Sequence, residues 1–235
     1  MTETIFVTGA DRGLGFSIAQ RFLRAGFHVF GGFYHSSANL EDLGRAFPGK
    51  LSPIALDVSD LGSIRRAVGQ VAEQITALDM LINNAGIHLE DHQTPLEELD
   101  FGNLHLEKSM AVNAFGPLRL TQLLYPLLSL GRRKLILNIS SEAGSITDCR
   151  REREFAYCMS KAALNMETKI LHNSLSPRGF TVLAVHPGWV QTEMGGPDAV
   201  LHPDLSAEAI YSLATRDWPR EHEIFMDYQG IGLPW

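Results

Sequence analysis

Tyr157 and Lys161 stand four residues apart in Tyr157-Cys158-Met159-Ser160-Lys161, at the head of an apolar, helix-like run through Ala162, Ala163 and Leu164. On a helix this spacing puts the phenol and the ammonium on one face. A fixed cation favours the ionised phenol, which draws a group of reference pKa ~10 toward the range useful for acid-base catalysis. Solvated helix faces carry the same pair, so its chemistry depends on what the surrounding elements bring to it.

The first such element is the turn Thr8-Gly9-Ala10-Asp11-Arg12-Gly13-Leu14-Gly15, which follows an apolar strand-like run and opens a helical one. Glycines allow a pyrophosphate to approach the backbone, and a helix N-terminus favours the anion. No Lys-Ser/Thr follows the last glycine, so this is not a Walker loop. Ile18 stands where a G-x-G-x-x-G fingerprint has its third glycine, which makes the turn a variant. A second element, Asn83-Asn84-Ala85-Gly86, falls where open α/β sheets bind ligands, at the carboxyl end of a strand. Asn83 reads as a buried loop fastener, and Ala85 and Gly86 as backbone beside a cofactor. His88 and His92 have helical metal-ligand spacing, but they lie in a loop between Gly86 and Pro95 with no third ligand, and no metal is expected.

These segments sit in a strand-helix alternation. Strands are expected at 4–8, 28–33, 51–56, 80–83, 134–139, 181–186 and 224–226, and helices at 14–25, 38–47, 61–76, about 104–128, 157–174 and 206–214. The product is an α/β fold, a single Rossmann-type doubly wound parallel sheet of about seven strands with helices on both faces. A chain of 235 residues, 45% apolar and without linker or repeat, suits one domain over 1–235. A net charge of −7 without a basic block argues against nucleic acid. No apolar run reaches the ~20 residues of a bilayer span and no signal segment opens the chain, so a cytoplasmic protein without membrane partner is expected. The two cysteines, Cys149 and Cys158, are expected to be reduced thiols.

Taken in order, Thr8-Gly9, Gly13 and Gly15, then Asn83-Asn84-Ala85-Gly86, Ser141, Tyr157 with Lys161, and Pro187-Gly188 resemble the short-chain dehydrogenase/reductase family over nearly the whole chain. Asp227-Tyr228-Gln229-Gly230, Leu233-Pro234-Trp235 and the run from Ser160 to Asn165 are similar to its carbonyl-reductase-like branch, which includes C-factor-type proteins. The resemblance implies hydride transfer between a nicotinamide and a small-molecule carbonyl or alcohol, most simply as a ketone or aldehyde reductase. It makes Tyr157 the proton donor in reduction, or the base in oxidation. Lys161 would depress the pKa of Tyr157 and hold the nicotinamide ribose. Ser141, preferred to Ser140, would bind the substrate oxygen, and Asn113 would bind a water linking Lys161 to solvent. The plainer reading of Asn113 is a mid-helix polar group satisfying local backbone.

The same resemblance assigns cofactor contacts to Gly9, Asp11, Arg12, Gly13, Leu14 and Gly15, to His35 and Ser36, and to Asp57 and Val58. It adds Asn84, Ala85 and Gly86, Tyr157 and Lys161, and Pro187, Gly188, Val190 and Thr192. No acid ends the second strand in Gly31-Gly32-Phe33-Tyr34-His35-Ser36-Ser37, and Arg12 resembles the basic residue of NADP-preferring relatives. NADP is therefore the expected cofactor and NAD the second choice. Asp57 could instead cap the segment after it. Trp189 and Met194 could line an apolar pocket or complete a core or oligomer contact. The charged run Asp148-Cys149-Arg150-Arg151-Glu152-Arg153-Glu154 reads as a solvated loop, or else Arg150, Arg151 or Arg153 reaches an acidic substrate. The resemblance further implies a homodimer or homotetramer built on the helices after Leu104 and Tyr157. A dinucleotide-sensing or signalling protein on the same fold is the alternative.

Overall fold

A computed structural model describes residues 2–90, 94–100, 102, 105–219 and 221–235. Seven strands, β1 (Thr4–Val7), β2 (His28–Phe33), β3 (Leu51–Ala55), β4 (Met80–Asn83), β5 (Leu135–Ile139), β6 (Thr181–His186) and β7 (Phe225–Asp227), form one sheet in the order β3-β2-β1-β4-β5-β6-β7. Every pairing is parallel, with Ile5 opposite both Val29 and Met80. The central strands, such as Ile5-Phe6-Val7 and Leu135-Ile136-Leu137, are buried throughout, as strands covered on both faces must be.

The helices are α1 (Gly13–Arg24), α2 (Ala38–Ala46), α3 (Leu61–Ala72), α4 (His105–Met110), α5 (Gly116–Leu130), α6 (Phe155–Leu175) and α7 (Pro203–Thr215). Ile18 and Phe22 of α1, Leu40 of α2 and Ile210 of α7 pack with Ile5, Val7 and Val185 on one face. Ile64 of α3, Leu120 and Leu124 of α5 and Leu175 of α6 pack with Phe6, Leu81 and Ile136 on the other. The chain runs outward from β1 to β3 and returns to β4 beside β1. That reversal opens a crevice at the carboxyl ends of β1 and β4, where the glycine turn and Asn83 to Gly86 both lie.

Two elements differ from expectation. The helix expected from Leu104, itself outside the described residues, is divided: a π turn, Ala111–Phe115, separates α4 from α5. Pro117 has no N–H to offer the carbonyl of Asn113, four residues earlier, and the helix widens there. Helix α6 begins at Phe155, two residues before Tyr157, because the Glu90 carboxylate accepts the N–H groups of Ala156 and Tyr157 at 2.9 and 2.8 Å. That cap is sixty-odd residues away in sequence and has no local signature. Among the described residues no helix is long and apolar enough to cross a membrane.

Two glycines separate packing from propensity. A Cβ on Gly131 would stand 2.1 Å from the Leu78 carbonyl oxygen, whereas one on Gly69, in the exposed part of α3, meets nothing within 4 Å. Urea unfolding of Gly131→Ala is expected to lose ~1–3 kcal/mol to overpacking. Gly69→Ala is expected to gain ~0.5–1 kcal/mol from helix propensity. Equal effects of the two substitutions would contradict this packing.

Candidate active site

Tyr157 lies in the first turn of α6 and Lys161 one turn later, with the Lys161 Nζ 5.8 Å from the phenol ring centroid. Lys161 is only 5% exposed, and its ammonium donates to the carbonyl of Ile139, the last residue of β5, at 2.8 Å. The strand then delivers two serines. Ser140 donates to Asn165 Oδ1 at 2.6 Å and so serves to tie β5 to α6. Ser141 hydrogen-bonds the Tyr157 side chain and accepts the Ala143 N–H at 3.1 Å. Ser141 thus acts on Tyr157, while the Ser140 hydroxyl is spent on Asn165.

Asn113 sits inside the π turn. Its Oδ1 accepts the Ile87 N–H at 2.8 Å, and its Nδ2 donates to the Ile87 carbonyl at 2.9 Å and to Ser160 Oγ at 2.9 Å. The side chain therefore clamps the loop after β4 onto α6. The amide bonds the backbone of Ile87, 26 residues away, and not a local backbone group as the plainer expectation had it.

Burial pushes Tyr157 up to about 12, the Ser141 hydrogen bond and Arg151 pull against it, and Glu142 adds to it. Burial also brings Lys161 down to about 8. Burial sets the direction of the Tyr157 shift and works against the depression expected from Lys161. Both groups are driven toward their neutral forms because desolvation penalises phenolate and ammonium alike.

Next to the phenol, His88 stacks on the Tyr157 ring with centroids 4.4 Å apart and planes inclined by 20°. Glu154, at the N-terminus of α6, lies 3.4 Å from His88 Nε2 through its Oε1 and holds a left-handed backbone, φ 64°. Arg151 bridges Glu154 and Glu142, the latter at 2.6 Å. The charged run is exposed from Asp148 to Glu152 and reaches the site at the buried Glu154, with Arg151 satisfied by two carboxylates, Arg150 exposed and Arg153 half-buried. Sequence reasoning did not find Glu90, His88 or Glu154, whose partners come from distant segments.

The glycine turn is shaped to accept a dinucleotide. Gly9 and Gly13 have φ of +63° and +53°, and a Cβ on Gly15 would lie 2.0 Å from the Gly9 carbonyl oxygen. No side chain caps α1 and no acid stands in its first turn, so its N–H groups fit an anion. Asp11 and Leu14 are buried under this turn, and Asn39 of α2 donates to the Asp11 carbonyl at 2.8 Å. Asn83 donates to Asn138 Oδ1 at 2.8 Å, the fastening expected of it. Asn84 also spends its amide on fastening, donating to the Thr8 and Gly9 carbonyls at 2.9 and 3.2 Å, and the Thr8 hydroxyl accepts the Asn84 and Ala85 N–H groups. A Cβ on Gly86 would stand 3.3 Å from Asn113 Oδ1 and 3.7 Å from Lys161 Nζ, so this segment runs directly beside the tyrosine site.

Across the crevice, a Cβ on Gly13 would meet Thr192 Cγ2 at 3.3 Å, and Arg12 pairs with Glu193 at 2.8 Å. Gly188 turns at φ +84°, the Pro187 carbonyl accepts from Ser206 at 2.7 Å, and Val190 bridges to Leu201. Trp189 and Met194 stay about half exposed, so neither completes the core. At the far end Ser36 Oγ accepts the Ala38 N–H, and His35 lies edge-on to Tyr34. Asp57 Oδ1 is taken by the Ser59 N–H at 2.8 Å, beside Val58, and the cap of α3 is Asp60, not Asp57. Among the described residues no three metal-ligating side chains converge; His92 lies outside them.

A family model for short chain dehydrogenase matches residues 3–199. The chain belongs to the short-chain dehydrogenase family. Within it, C-signal of Myxococcus xanthus is 37% identical over 158 residues, 67% of this chain and 93% of that protein. An uncharacterized oxidoreductase of Schizosaccharomyces pombe is 32% identical over 99% of this chain and 98% of its own. The NADPH-bound carbonyl reductase from chicken fatty liver superposes with a TM-score of 0.90 at 28% identity, covering 100% of this chain and 99% of that one. The carbonyl reductase Sniffer of D. melanogaster does so with a TM-score of 0.89 at 27% identity and full coverage of both chains. These likenesses put this short-chain dehydrogenase in the carbonyl-reductase-like branch and make it an oxidoreductase acting between CH–OH and C=O.

The Gly15 contact gives the cleft a direct test. Gly15→Ala is expected to weaken NADPH binding, read by fluorescence titration, by at least about tenfold, since the added methyl must displace the Gly9 carbonyl from the anion-binding turn. Unchanged NADPH affinity in a folded variant would mean that the turn does not hold the dinucleotide.

Proposed function

We propose that this short-chain dehydrogenase is an NADPH-dependent reductase of ketones or aldehydes, with Tyr157 as the proton donor. The observation that carries the reading is a half-buried tyrosine that interacts with Ser141 at the end of β5 and lies one helical turn from a buried lysine. A bound nicotinamide dinucleotide supplies the hydride. The chain's own task is the oxygen and its proton: Ser141 and Tyr157 hold the carbonyl oxygen between two hydroxyls, and the Tyr157 O–H bond breaks as the alcohol O–H forms. Lys161, brought down only to about 8 and so still charged near neutral pH, would favour the transient phenolate through that charge. The Asn113 carbonyl is the proposed seat of a water on the path to solvent.

The residues that would hold the dinucleotide are Gly9, Asp11, Arg12, Gly13, Leu14 and Gly15 at the pyrophosphate, His35 and Ser36 at the adenosine ribose, and Asp57 and Val58 at the adenine. Ala85, Gly86 and Lys161 would line the nicotinamide ribose, and Pro187, Gly188, Val190 and Thr192 the nicotinamide. Asn84 acts through the turn it fastens. NADPH is preferred over NADH because Arg12 offers a guanidinium and no carboxylate ends β2 to repel a 2′-phosphate. The NADPH-bound carbonyl reductase and a short-chain dehydrogenase from Burkholderia multivorans with bound NADP, 30% identical to this chain, support that choice. We read residues 1–235 as one catalytic unit working in the cytoplasm. The exposed Phe115, Leu118, Met159, Met166 and Ile170 beside and along α5 and α6 would be the pairing surface of a homodimer or homotetramer.

The likeness to C-signal favours a second reading, a signalling protein that binds dinucleotide with little turnover. A panel of ketones and aldehydes assayed with NADPH and NADH separates the two. The reductase reading expects turnover with NADPH at least about tenfold more efficient than with NADH, and a loss of at least about 10³-fold in kcat for Tyr157→Phe at unchanged NADPH affinity. Tight NADPH binding without turnover of any carbonyl would favour signalling, and full activity of Tyr157→Phe would remove the proposed proton donor.

A further inference from the structure

The ring stacked on Tyr157 belongs to a connected set of side chains that the proton-transfer scheme does not use. His88, whose side chain is 8% exposed, covers the phenol ring at 4.4 Å. Glu154, whose side chain is 7% exposed, brings its Oε1 to 3.4 Å from His88 Nε2, an ion pair when the imidazole is protonated, and is itself held by Arg151. Arg151 also grips Glu142, which follows Ser141, so the set runs around Tyr157 and returns to its hydrogen-bond partner. Burial works against the Arg151 cation, yet the two carboxylates hold it charged well above the ordinary guanidinium range.

The backbone marks the same place. Glu154 is one of two described non-glycine residues with positive φ, and it stands at the N-terminus of α6, three residues before Tyr157. A left-handed conformation in such a residue costs about 1–3 kcal/mol and persists where surrounding contacts impose it. Here those contacts are His88 and Arg151. The Glu154 carboxylate is buried there, beside the ring that stacks on the phenol.

We propose that His88, clamped by Glu154, is a positioning residue for Tyr157: it fixes the plane of the phenol and excludes water from one of its faces. The inference rests on the reading of Tyr157 as proton donor and adds to it a residue outside the Asn113, Ser141, Tyr157 and Lys161 group. Aromatic stacking restricts ring rotation, and a reacting O–H held within about 10–20° of its productive direction is what proton transfer needs. The charged and titratable groups around that phenol are Lys161 and Cys158 of α6, Glu142 and Arg151 of the segment before it, Glu154 at its start, and His88 and Glu90 of the loop after β4.

Two readouts test the proposal. Ionisation of Tyr157 can be followed by ultraviolet difference titration of the cofactor-free protein, each variant being paired with its own Tyr157→Phe background. His88→Ala, which admits water to the ring, is expected to ionise about one pH unit below the wild type, while His88→Phe, which keeps a ring in place, stays near it. In turnover of a ketone, His88→Ala is expected to lose at least about tenfold in kcat with KM and NADPH affinity within about twofold, and His88→Phe to recover most of that loss. Should His88→Ala fail to fold, Glu154→Gln keeps the ring and weakens its clamp, and is expected to lower kcat at least about threefold at unchanged NADPH affinity. An unmoved phenol titration together with kcat within about twofold of wild type in His88→Ala, or in Glu154→Gln where it must substitute, overturns the proposal. A wild-type protein without carbonyl turnover would defeat the reductase reading, and the titration would still decide whether His88 shields Tyr157.

Discussion

Everything at the site depends on how closely α6 sits against the turn that leaves β5. A Cβ on Gly144 would stand 2.7 Å from the backbone carbonyl of Lys161 and 2.8 Å from Asn165 Nδ2, so only glycine permits the approach. Above this contact a ladder of buried polar groups fixes the register: Ser140 to Asn165, Asn138 to Thr168 at 2.8 Å, and Asn83 to Asn138. Each such bond contributes only about 1 kcal/mol net, but leaving one partner unpaired in the interior costs more than the bond returns. The ladder therefore acts as a positional lock. It brings Ser141, delivered by a strand, to a phenol delivered by a helix.

The lock also explains the electrostatics. Seating α6 removes water from Tyr157 and Lys161 together, the Ile139 carbonyl accepts a hydrogen bond from the ammonium, and desolvation dominates both groups. The phenol stays protonated, and to give its proton away it needs a nearby positive charge to favour the phenolate. A lysine brought down to about 8 is held near the point where small changes around it alter its charge. Arg151 offsets one of the two negative charges of Glu142 and Glu154, and Glu142 still adds to the upward push on the phenol.

Much of this was legible in the sequence because it is local. Alternating apolar runs gave the strands, and the glycines of the turn after β1 announced a backbone that must curl and be approached. Tyr157 and Lys161 were visible because a helix turns their spacing into proximity. Elements that depend on distant partners were not legible. Nothing near Phe155 says that Glu90 will cap α6, and nothing near His88 says that it will lie on Tyr157. The π turn could have been read from Pro117, four residues after Asn113, but the use of the Asn113 amide as a clamp on Ile87 could not. The arginines before Tyr157 drew attention for a substrate contact, and the fold instead turns Arg151 inward to two carboxylates. Charge in a sequence shows that a partner is needed, without saying whether the partner is a ligand or the protein itself.

The central claim is that this lock assembles a hydride-and-proton transfer site with Tyr157 as the acid. The most direct measurement reduces a ketone with NADPH deuterated at both C4 positions and locates the label in the alcohol by mass spectrometry, for the wild type and for Tyr157→Phe. The account predicts one deuterium on the carbinol carbon with the wild type and almost no labelled alcohol with Tyr157→Phe. Equal labelled product from both proteins, or alcohol formed without the label, would contradict it.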